Sequence, residues 1–282
     1  MFENTSETDL IIDPYAITKL VIYPIKSCRG ISVTTALITS KGLLHDREYM
    51  LIDPNGKFIT QREFPMMAQI EVTLIDSKTL GVVAPGMPPL TIRVQNTGLA
   101  MYAQVWNDTV VVRKQQVKAS AWFSKFLETS CLLVRQDSMT PRPVSAKYAT
   151  IDTDQVGLAD AYPVLITTEV SLQKLNEDGG MTIPMNRWRS NIILPGRFPY
   201  AEDYWGKIKI GDVVFTLAKA CYRCVITTTD QETGERVSHE PLRTLAKTRR
   251  FEKGTAFGQY AIPASPYGSV KVGDTVEILK QK

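Results

Sequence analysis

Cysteine and histidine are scarce in this chain of 282 residues, which has four of the first and two of the second. Four cysteines at irregular spacing do not make a disulfide framework, so the sequence predicts a protein of a reducing compartment. No apolar run approaches the roughly 18 residues that a transmembrane helix needs. Residues 1–13 carry acidic side chains and no basic one, which excludes a secretory or transit peptide. We therefore predict a soluble, cytoplasmic protein with no membrane span and with an N-terminal arm over residues 1–14.

A large excess of charge of one sign is also lacking. The net charge of +4 permits an anionic ligand, whereas nucleic-acid binding usually needs a concentrated basic face. Hydrophobic residues make up 44% of the chain and charged residues 22%, which is typical of a folded globular protein with one large or two ordinary domains. We expect no nucleic-acid partner.

Short β-branched and aromatic runs bounded by turn residues predict a chain rich in strands. In the first half these runs are 17–25, 34–39, 48–53, 70–75 and 90–94. The turn Pro54-Asn55-Gly56 predicts a hairpin between the strands that contain Leu51 and Phe58. Residues 119–129 place four bulky apolar side chains on one face of a helix.

The second half repeats this mixture, with a strand predicted at 164–167 and helices at 168–177 and 241–250. Segments 207–215 and 269–277 alternate apolar and polar residues on both sides of Gly-Asp, and each is predicted to form a hairpin. The proline-rich, charged segment 137–148 marks the expected boundary between two parts, 15–136 and 137–282. The predicted fold class is therefore α+β and rich in β-structure.

The stretch 220–230 contains two of the four cysteines, Cys221 and Cys224, with Arg223 directly before the second. A thiolate beside a fixed cation is suited to binding a metal or to acting as a nucleophile. Three other interpretations remain open from spacing alone. A zinc site needs about four ligands, and only the other two cysteines and the two histidines remain to complete one. A thioredoxin-like redox pair and two buried core cysteines are the others.

Two further segments place cationic and polar side chains beside predicted strands. In residues 23–30 a strand ends at a proline, and Lys26, Ser27 and Arg29 follow, a combination that suits a phosphate; Arg47 adds a cation shortly afterwards. Residues 186–191 bracket a tryptophan with two arginines and two asparagines, which suits a polar heterocycle. Taken alone, each segment is equally compatible with a solvated loop.

Together these segments resemble the MOSC family (molybdenum cofactor sulfurase C-terminal domain), in the branch with the mitochondrial amidoxime reducing component and the bacterial YcbX-type proteins. The resemblance spans residues 16–279 and implies an N-terminal β-barrel-like domain followed by a MOSC-type β-barrel domain with peripheral helices. It rests on motifs in family order, among them Tyr-Pro-Ile-Lys-Ser-Cys at 23–28, Asp-Arg at 46–47, Arg-x-Asn at 189–191 and Cys-x-Arg-Cys-x-x-Thr-Thr at 221–228.

The resemblance implies a molybdenum cofactor, a pterin whose dithiolene holds molybdenum and whose tail is a phosphate. The second cysteine of the motif is a molybdenum ligand in the family, which corresponds to Cys224 as the catalytic and metal-binding residue, and Cys221 is then structural. The segment Asp160-Ala161-Tyr162 matches a family region near the cofactor, but Ala161 and Tyr162 depart from the small polar residues that are commoner there. The implied cofactor-binding residues are Lys26, Ser27, Arg47, Asp160, Arg189, Asn191, Tyr222 and Arg223.

The implied activity is the reduction of small N-hydroxylated compounds such as amidoximes, hydroxylamines and N-hydroxylated bases. The chain has no plant-type cysteine set for an iron–sulfur cluster, so we expect electrons from a separate ferredoxin-, flavin- or cytochrome-type donor protein. Two alternatives use the same residues differently. One is a sulfur-transfer or cofactor-handling protein with a persulfide on Cys224, and the other is a non-catalytic module that binds an anionic heterocycle.

Overall fold

The computed structural model describes residues 15–282, and the predicted arm over 1–14 lies outside them. Within the described residues the three α-helices are α1 (Val117–Phe126), α2 (Glu169–Gly179) and α3 (Leu242–Thr248). The strands before α1 are β1 (Lys19–Ile22), β2 (Ile31–Val33), β3 (Thr35–Thr39), β4 (Gly42–Leu43), β5 (Tyr49–Ile52), β6 (Phe58–Ile59), β7 (Glu71–Asp76), β8 (Thr79–Val83), β9 (Leu90–Arg93), β10 (Ala100–Val105) and β11 (Asp108–Lys114). Those after it are β12 (Leu132–Gln136), β13 (Val164–Thr168), β14 (Ile192–Leu194), β15 (Trp205–Ile210), β16 (Val213–Tyr222), β17 (Arg250–Phe251), β18 (Gly254–Pro263), β19 (Ser269–Lys271) and β20 (Val276–Gln281).

The largest sheet joins strands from both ends of the chain. Its order is β2-β1-β14-β13-β18-β16-β15-β20, with β17 added on β18, so the first two strands lie beside strands from the second half. The β13–β14 pair is parallel, and the other pairs of this sheet are antiparallel. A buried cluster that includes Leu20, Ile166, Ile208 and Phe215 fills its inner face. Strand β1, although it comes from the first half of the sequence, is therefore an integral strand of the sheet that the second half forms.

The first half builds smaller sheets around a separate core. One sheet has the order β10-β11-β12-β5-β6 and another the order β7-β8-β9, while β19-β3-β4 forms a third. Helix α1 packs its aromatic face, with Phe123 fully buried, against Leu51, Ile70 and Leu133 of this half. The predicted amphipathic helix is confirmed, although it begins two residues earlier than expected and ends at Phe126.

Local signals located several elements correctly. Helix α2 begins after Thr168, whose hydroxyl accepts a hydrogen bond from the Ser171 amide at 3.3 Å, and it is capped at its C-terminus by Gly180 with a φ of 56°. The hairpin of β15 and β16 turns at Gly211, where φ is 55°. None of the helices within residues 15–282 is long and apolar enough to cross a membrane.

The second Gly-Asp segment does not form the predicted hairpin. Strand β19 pairs with β3 and strand β20 pairs with β15, so the two arms of the turn belong to different sheets. The turn is held instead by the N-terminal segment: the Gly273 amide donates to the Ile17 carbonyl at 2.8 Å, and the Ile17 amide donates to the Asp274 carbonyl at 3.0 Å. Long-range pairing partners therefore outcompeted a local turn signal that resembles the one at Gly211.

Candidate functional site

Several loops and the end of β16 meet around one cleft of about 450 Å³, a volume typical of small-ligand sites. Backbone hydrogen bonds join these loops directly. The Arg47 amide donates to the Tyr23 carbonyl at 2.8 Å, and the Leu158 amide donates to the Arg47 carbonyl at 3.0 Å. Arg29, which the sequence analysis grouped with Lys26 and Ser27, does not line this cleft and pairs instead with Glu71 and Glu232. The residues that the family resemblance implied for the cofactor and the metal all line it, namely Lys26, Ser27, Arg47, Asp160, Arg189, Asn191, Tyr222, Arg223 and Cys224.

The lining of the cleft is strongly cationic. Among residues 15–282 its only acidic side chain is that of Asp160, whereas its basic side chains are those of Lys26, Arg47, Arg62, Arg189, Lys219 and Arg223. A concave surface lined by one sign of charge concentrates the opposite charge. The geometry therefore favours an anionic ligand, although the net charge of the whole chain is only +4.

Two of these cations form an arginine cluster over one buried ring. The guanidinium carbons of Arg47 and Arg189 lie 4.2 and 4.3 Å from the centroid of the Tyr23 ring. Arg47 also forms an ion pair with the buried carboxylate of Asp46 at 2.6 Å. Arg189 instead donates to the Cys28 carbonyl at 2.8 Å, and burial lowers its pKa to about 10. Both charges are thus held in place before any ligand arrives.

Asn191 connects the arginine cluster to the sheet. Its side-chain oxygen accepts hydrogen bonds from Arg47 Nη1 at 3.0 Å and from the Leu165 amide at 3.1 Å. Its nitrogen donates to the Val21 carbonyl at 3.1 Å and to Asp46 Oδ1 at 3.0 Å. The amide group already makes two donor and two acceptor contacts, so Asn191 acts by orienting Arg47 and Asp46.

Asp160, the acidic residue of the lining, holds a second group of cations. We call Asp160, Lys26 and Arg62 the Asp160 cluster. Lys26 Nζ pairs with one carboxylate oxygen of Asp160 and donates to the Leu158 carbonyl at 2.8 Å, while Arg62 Nη2 lies 3.0 Å from the other oxygen. Burial lowers the pKa of Lys26 to about 8 despite the opposing effect of Asp160. Burial alone raises the pKa of Asp160, but the charges of Lys26 and Arg62 outweigh it and hold that pKa well below its usual range.

Arg142 supports the Asp160 cluster from behind the cleft. Its Nη1 donates to the carbonyls of Gly157 and Ala159 at 3.0 and 2.7 Å, and its Nε lies 2.8 Å from Asp108 Oδ2. Arg142 is 5% exposed and does not line the cleft. Its contacts fix the backbone of the loop that carries Asp160.

The two cysteines of the pair have different environments. Cys221 is 2% exposed, and its sulfur lies 2.7 Å from Arg223 Nη1. The other end of this guanidinium donates to the Trp188 carbonyl at 2.7 Å, and its Nε is buried without a partner among the described residues. Arg223, which the sequence analysis associated with Cys224, is therefore in direct contact with Cys221.

Cys224 is half-buried and its thiol opens onto the cleft. The charges of three guanidinium groups, those of Arg62, Arg223 and Arg236, interact with its sulfur. Burial alone lowers the pKa of Arg62, but Asp160 and the sulfur of Cys224 attract its charge and raise that pKa. Cys224 follows the end of β16 and precedes a single 3-10 turn, Val225–Thr228, unlike a thioredoxin-like pair at the start of an α-helix. Within residues 15–282, no three His, Cys, Asp or Glu side chains come together as a zinc site requires.

Backbone strain is concentrated at the cleft. Ser27, Arg47, Trp106 and Arg189 all line it, and all have φ between 47° and 69°. A residue with a side chain costs about 1 kcal/mol or more in this left-handed region, so such strain persists only where the surroundings impose it. Clusters of strained residues are typical of ligand sites, and here they coincide with the cationic lining.

Two family models account for most of the chain. Residues 15–130 match the MOSC N-terminal beta barrel domain, and residues 153–277 match the MOSC domain. Mitochondrial amidoxime-reducing component 1 of Mus musculus is 36% identical over 281 residues, an alignment that covers 94% of this chain and 82% of the relative.

The chain belongs to the MOSC family. The mitochondrial amidoxime-reducing component 1 of Homo sapiens is 33% identical over 281 residues and covers 94% of this chain and 83% of the relative. Molybdenum cofactor sulfurase of Oryza sativa subsp. japonica is 30% identical over 281 residues, which is 92% of this chain but 33% of that longer protein. The fold is accordingly an N-terminal MOSC barrel domain followed by the MOSC domain.

Four cleft residues escaped the sequence analysis of this MOSC protein: Arg62, Trp106, Lys219 and Tyr260. Arg62 lies over the Trp106 ring at 4.4 Å, so the first half contributes part of the rim. No motif marks Arg62, Trp106 or Lys219, because each is an isolated side chain in an ordinary strand or turn. Tyr260 ends the family motif Phe-Gly-Gln-Tyr at 257–260, to which the sequence analysis gave no role in the site. Asp203 and Trp205 lie outside the cleft lining; Asp203 accepts a hydrogen bond from Gln259 Nε2 at 2.6 Å and pairs with Arg249, a structural role.

Proposed function

We propose that this protein is a molybdenum-cofactor-dependent reductase of N-hydroxylated compounds that receives electrons from a separate donor protein. The observation that carries the proposal is a half-buried thiol, Cys224, in a cleft whose lining has six cations and one carboxylate. The names of the Mus musculus and Homo sapiens relatives, which are amidoxime-reducing components, support the same reaction class.

The donor set of the cleft fits this cofactor. A phosphate-bearing pterin requires fixed cations. Arg189 is such a cation, because it contacts the Cys28 carbonyl and the Tyr23 ring and has no ion pair with a carboxylate among residues 15–282. A polar heterocycle requires donors, and Arg223 has a buried Nε without a partner among residues 15–282. A soft metal requires a thiolate, which Cys224 supplies. We assign the phosphate to Lys26, Ser27, Arg47 and Arg189, the pterin to Tyr222 and Arg223, and the metal to Cys224.

When bound, the cofactor supplies two-electron chemistry that converts an N–OH group to N–H and water. The residues of this chain then have three tasks. Arg62 places a positive charge beside the sulfur of Cys224. Asp160 positions Lys26 and Arg62, and Asn191 positions Arg47. The walls orient the N–O bond of the substrate beside the sulfur of Cys224.

The test is elemental and pterin analysis of protein made in a host that builds the molybdenum cofactor. We expect near-stoichiometric molybdenum and pterin in the wild type, and loss of metal and of benzamidoxime reduction in Cys224→Ala with an unchanged circular dichroism spectrum. Cys131→Ala is the matched control, because Cys131 is buried in the other half of the chain. It should retain metal and activity. Wild-type turnover in Cys224→Ala would end the proposal.

A sulfur-transfer role is the second candidate. The Oryza sativa relative is named a molybdenum cofactor sulfurase, and an open thiol beside a guanidinium is suited to carrying a persulfide. Mass spectrometry of metal-free protein treated with inorganic polysulfide, which transfers one zero-valent sulfur atom to a thiolate and leaves as the shorter polysulfide, distinguishes the two. A persulfide on Cys224 that is transferred to an acceptor, without reductase activity when an electron donor is present, favours sulfur transfer.

A further inference from the structure

Three tyrosine rings form a continuous wall along one part of the cleft. The centroids of Tyr148 and Tyr162 are 6.1 Å apart in an edge-on arrangement, and those of Tyr162 and Tyr260 are 5.2 Å apart with a tilt of 37°. Tyr162 and Tyr260 line the cleft. We call these three residues the tyrosine wall. Tyr162 is 3% exposed, so the half-buried ring of Tyr260 offers most of the surface of this wall that a flat ligand can contact.

Two lysines lie on this wall: Lys147 Nζ is 5.4 Å from the centroid of the Tyr148 ring but Lys147 does not line the cleft, whereas Lys219 does. Lys219 Nζ is 5.2 Å from the centroid of the Tyr162 ring and 5.5 Å from that of Tyr148, and Lys219 lines the cleft. Within residues 15–282 it has no ion pair with a carboxylate. Contact with ring faces leaves the ammonium hydrogens available for an acceptor.

The position of Lys219 depends on a β-bulge. Along β16, Leu217 is opposite Ala261 and Lys219 is opposite Tyr260, so Ala218 is an extra residue in the register. A bulge turns the following side chain to the other face of the strand. Leu217 packs in the core of the large sheet, and Lys219 therefore leaves that core and reaches the cleft. Without the bulge the two side chains would share a face.

Lys219 also differs from the cations that we assign to the cofactor. An ion pair or a hydrogen bond to a backbone carbonyl fixes each of those cations, namely Lys26, Arg47, Arg189 and Arg223. Among residues 15–282, Lys219 Nζ has only the contacts with aromatic rings. We infer that Lys219 and the tyrosine wall form a substrate subsite that selects flat N-hydroxylated compounds with an anionic substituent. This inference rests on the proposed reductase function.

The physical basis is a difference between two substrates of the same shape. A neutral aromatic ring gains only contact with the tyrosine wall. The same ring with a carboxylate also forms a charge-assisted hydrogen bond with Lys219, in a partly desolvated cleft. A contact of that kind changes affinity by about tenfold.

The experiment compares benzamidoxime with 4-carboxybenzamidoxime on the cofactor-loaded enzyme. Affinity is measured by calorimetry without electron donor, and kcat/KM is measured with a competent donor. We expect wild type to prefer the carboxylated compound about tenfold in both, and Lys219→Met to remove this preference. Lys219→Arg should retain it. The matched control is Lys207→Met, which removes one exposed lysine from the neighbouring strand β15, outside the cleft.

Each outcome decides one of the two claims. The subsite is overturned if wild type binds the two compounds with equal affinity, or if Lys219→Met keeps the preference. Turnover of both compounds would at the same time uphold the reductase function. Loss of molybdenum and pterin from Lys219→Met also overturns the subsite, because Lys219 would then hold the cofactor phosphate. If the binding preference depends on Lys219 but the enzyme reduces neither compound with any electron donor, the subsite is upheld and the reductase function is overturned.

Discussion

The arginine cluster and the Asp160 cluster both supply positive charge to the cleft, but they are stabilised in different ways. Arg47 and Arg189 lie over the Tyr23 ring, and Asp46, paired with Arg47, has a side chain that is 1% exposed. Lys26 and Arg62 share one carboxylate, that of Asp160, whose side chain is 35% exposed to the cleft.

The difference shows how one cleft combines permanent and adjustable charge. Guanidinium groups keep their charge at every physiological pH, so the arginine cluster is always cationic. The Asp160 cluster depends on a single shared residue, and burial lowers the pKa of Lys26 to about 8. We therefore expect the arginine cluster to anchor an anion and the Asp160 cluster to respond to pH and to mutation.

Breaking the Asp160 cluster at its centre should have the largest effect. Asp160→Asn removes the partner of both Lys26 and Arg62 and should lower the free energy of unfolding by about 2 kcal/mol, less than for a fully buried pair because the carboxylate is partly exposed. Urea unfolding measures the change. Asp152→Asn, at an exposed carboxylate on the same segment, should change it by less than about 0.5 kcal/mol. Equal stability of the two variants would show that Asp160 does not hold the cluster.

Breaking the arginine cluster should cost somewhat less. Arg47→Lys keeps the charge but cannot contact Asp46, Asn191 and the Arg189 carbonyl together, and we expect a loss of about 1–2 kcal/mol in the free energy of unfolding. Arg93→Lys, at an exposed arginine, should be neutral in the same urea titration. If Arg47→Lys leaves the free energy of unfolding unchanged, the positive charge alone would be sufficient for the stability of this cluster.

The pH response should separate the two clusters. The pKa of Lys26 is lowered to about 8, so its charge is present below that pH and is lost as the pH rises through it. Sulfate does not titrate in this range, and its affinity for the cofactor-free protein should fall by about threefold to tenfold between pH 7 and 9. Arg189, with a pKa of about 10, keeps its charge in that window.

Lys26→Met tests this assignment, because it should bind sulfate more weakly and with little change between pH 7 and 9. Calorimetric titrations of both proteins provide the comparison. A pH dependence that survives in Lys26→Met would assign the titration to another group of the cleft.

The smallest effect should be on the reactivity of Cys224. Arg62→Gln removes a guanidinium that interacts with the sulfur and should slow alkylation of Cys224 by iodoacetamide about threefold, since the attacking sulfur loses a nearby positive charge. Arg189→Gln, in the arginine cluster, should leave the rate unchanged. Peptide mass spectrometry after timed alkylation locates the modified cysteine. Equal rates in the two variants would remove Arg62 as a partner of Cys224.

Much of the candidate site follows short motifs, and these could be read from the chain. Lys26 and Ser27 are adjacent, Arg189 and Asn191 are two apart, and Arg223 and Cys224 are adjacent, so each local pattern indicated a set of ligand groups. The contact partners could not be read in this way. The guanidinium of Arg223 contacts Cys221 rather than the adjacent Cys224, because the turn after β16 points the side chains of Arg223 and Cys224 in different directions.

The sequence by itself determined the features that depend on neighbouring residues. The cap at Thr168, the left-handed Gly180 and the tight turn at Gly211 each need only local backbone geometry and one or two hydrogen bonds. The chemical character of Cys224 as a candidate thiolate ligand is likewise a property of its side chain.

Only the tertiary structure decided which residues share the cleft and which strands pair. Arg62 meets Asp160 from 98 positions away and Arg47 meets Asn191 from 144, and the arms of the turn at Gly273 pair with strands from different halves of the chain. Such contacts form because burying the two cores outweighs the entropy of closing long loops, a balance that belongs to the whole chain. No local pattern carries that information, which is why Arg62 and Lys219 became visible only in the folded protein.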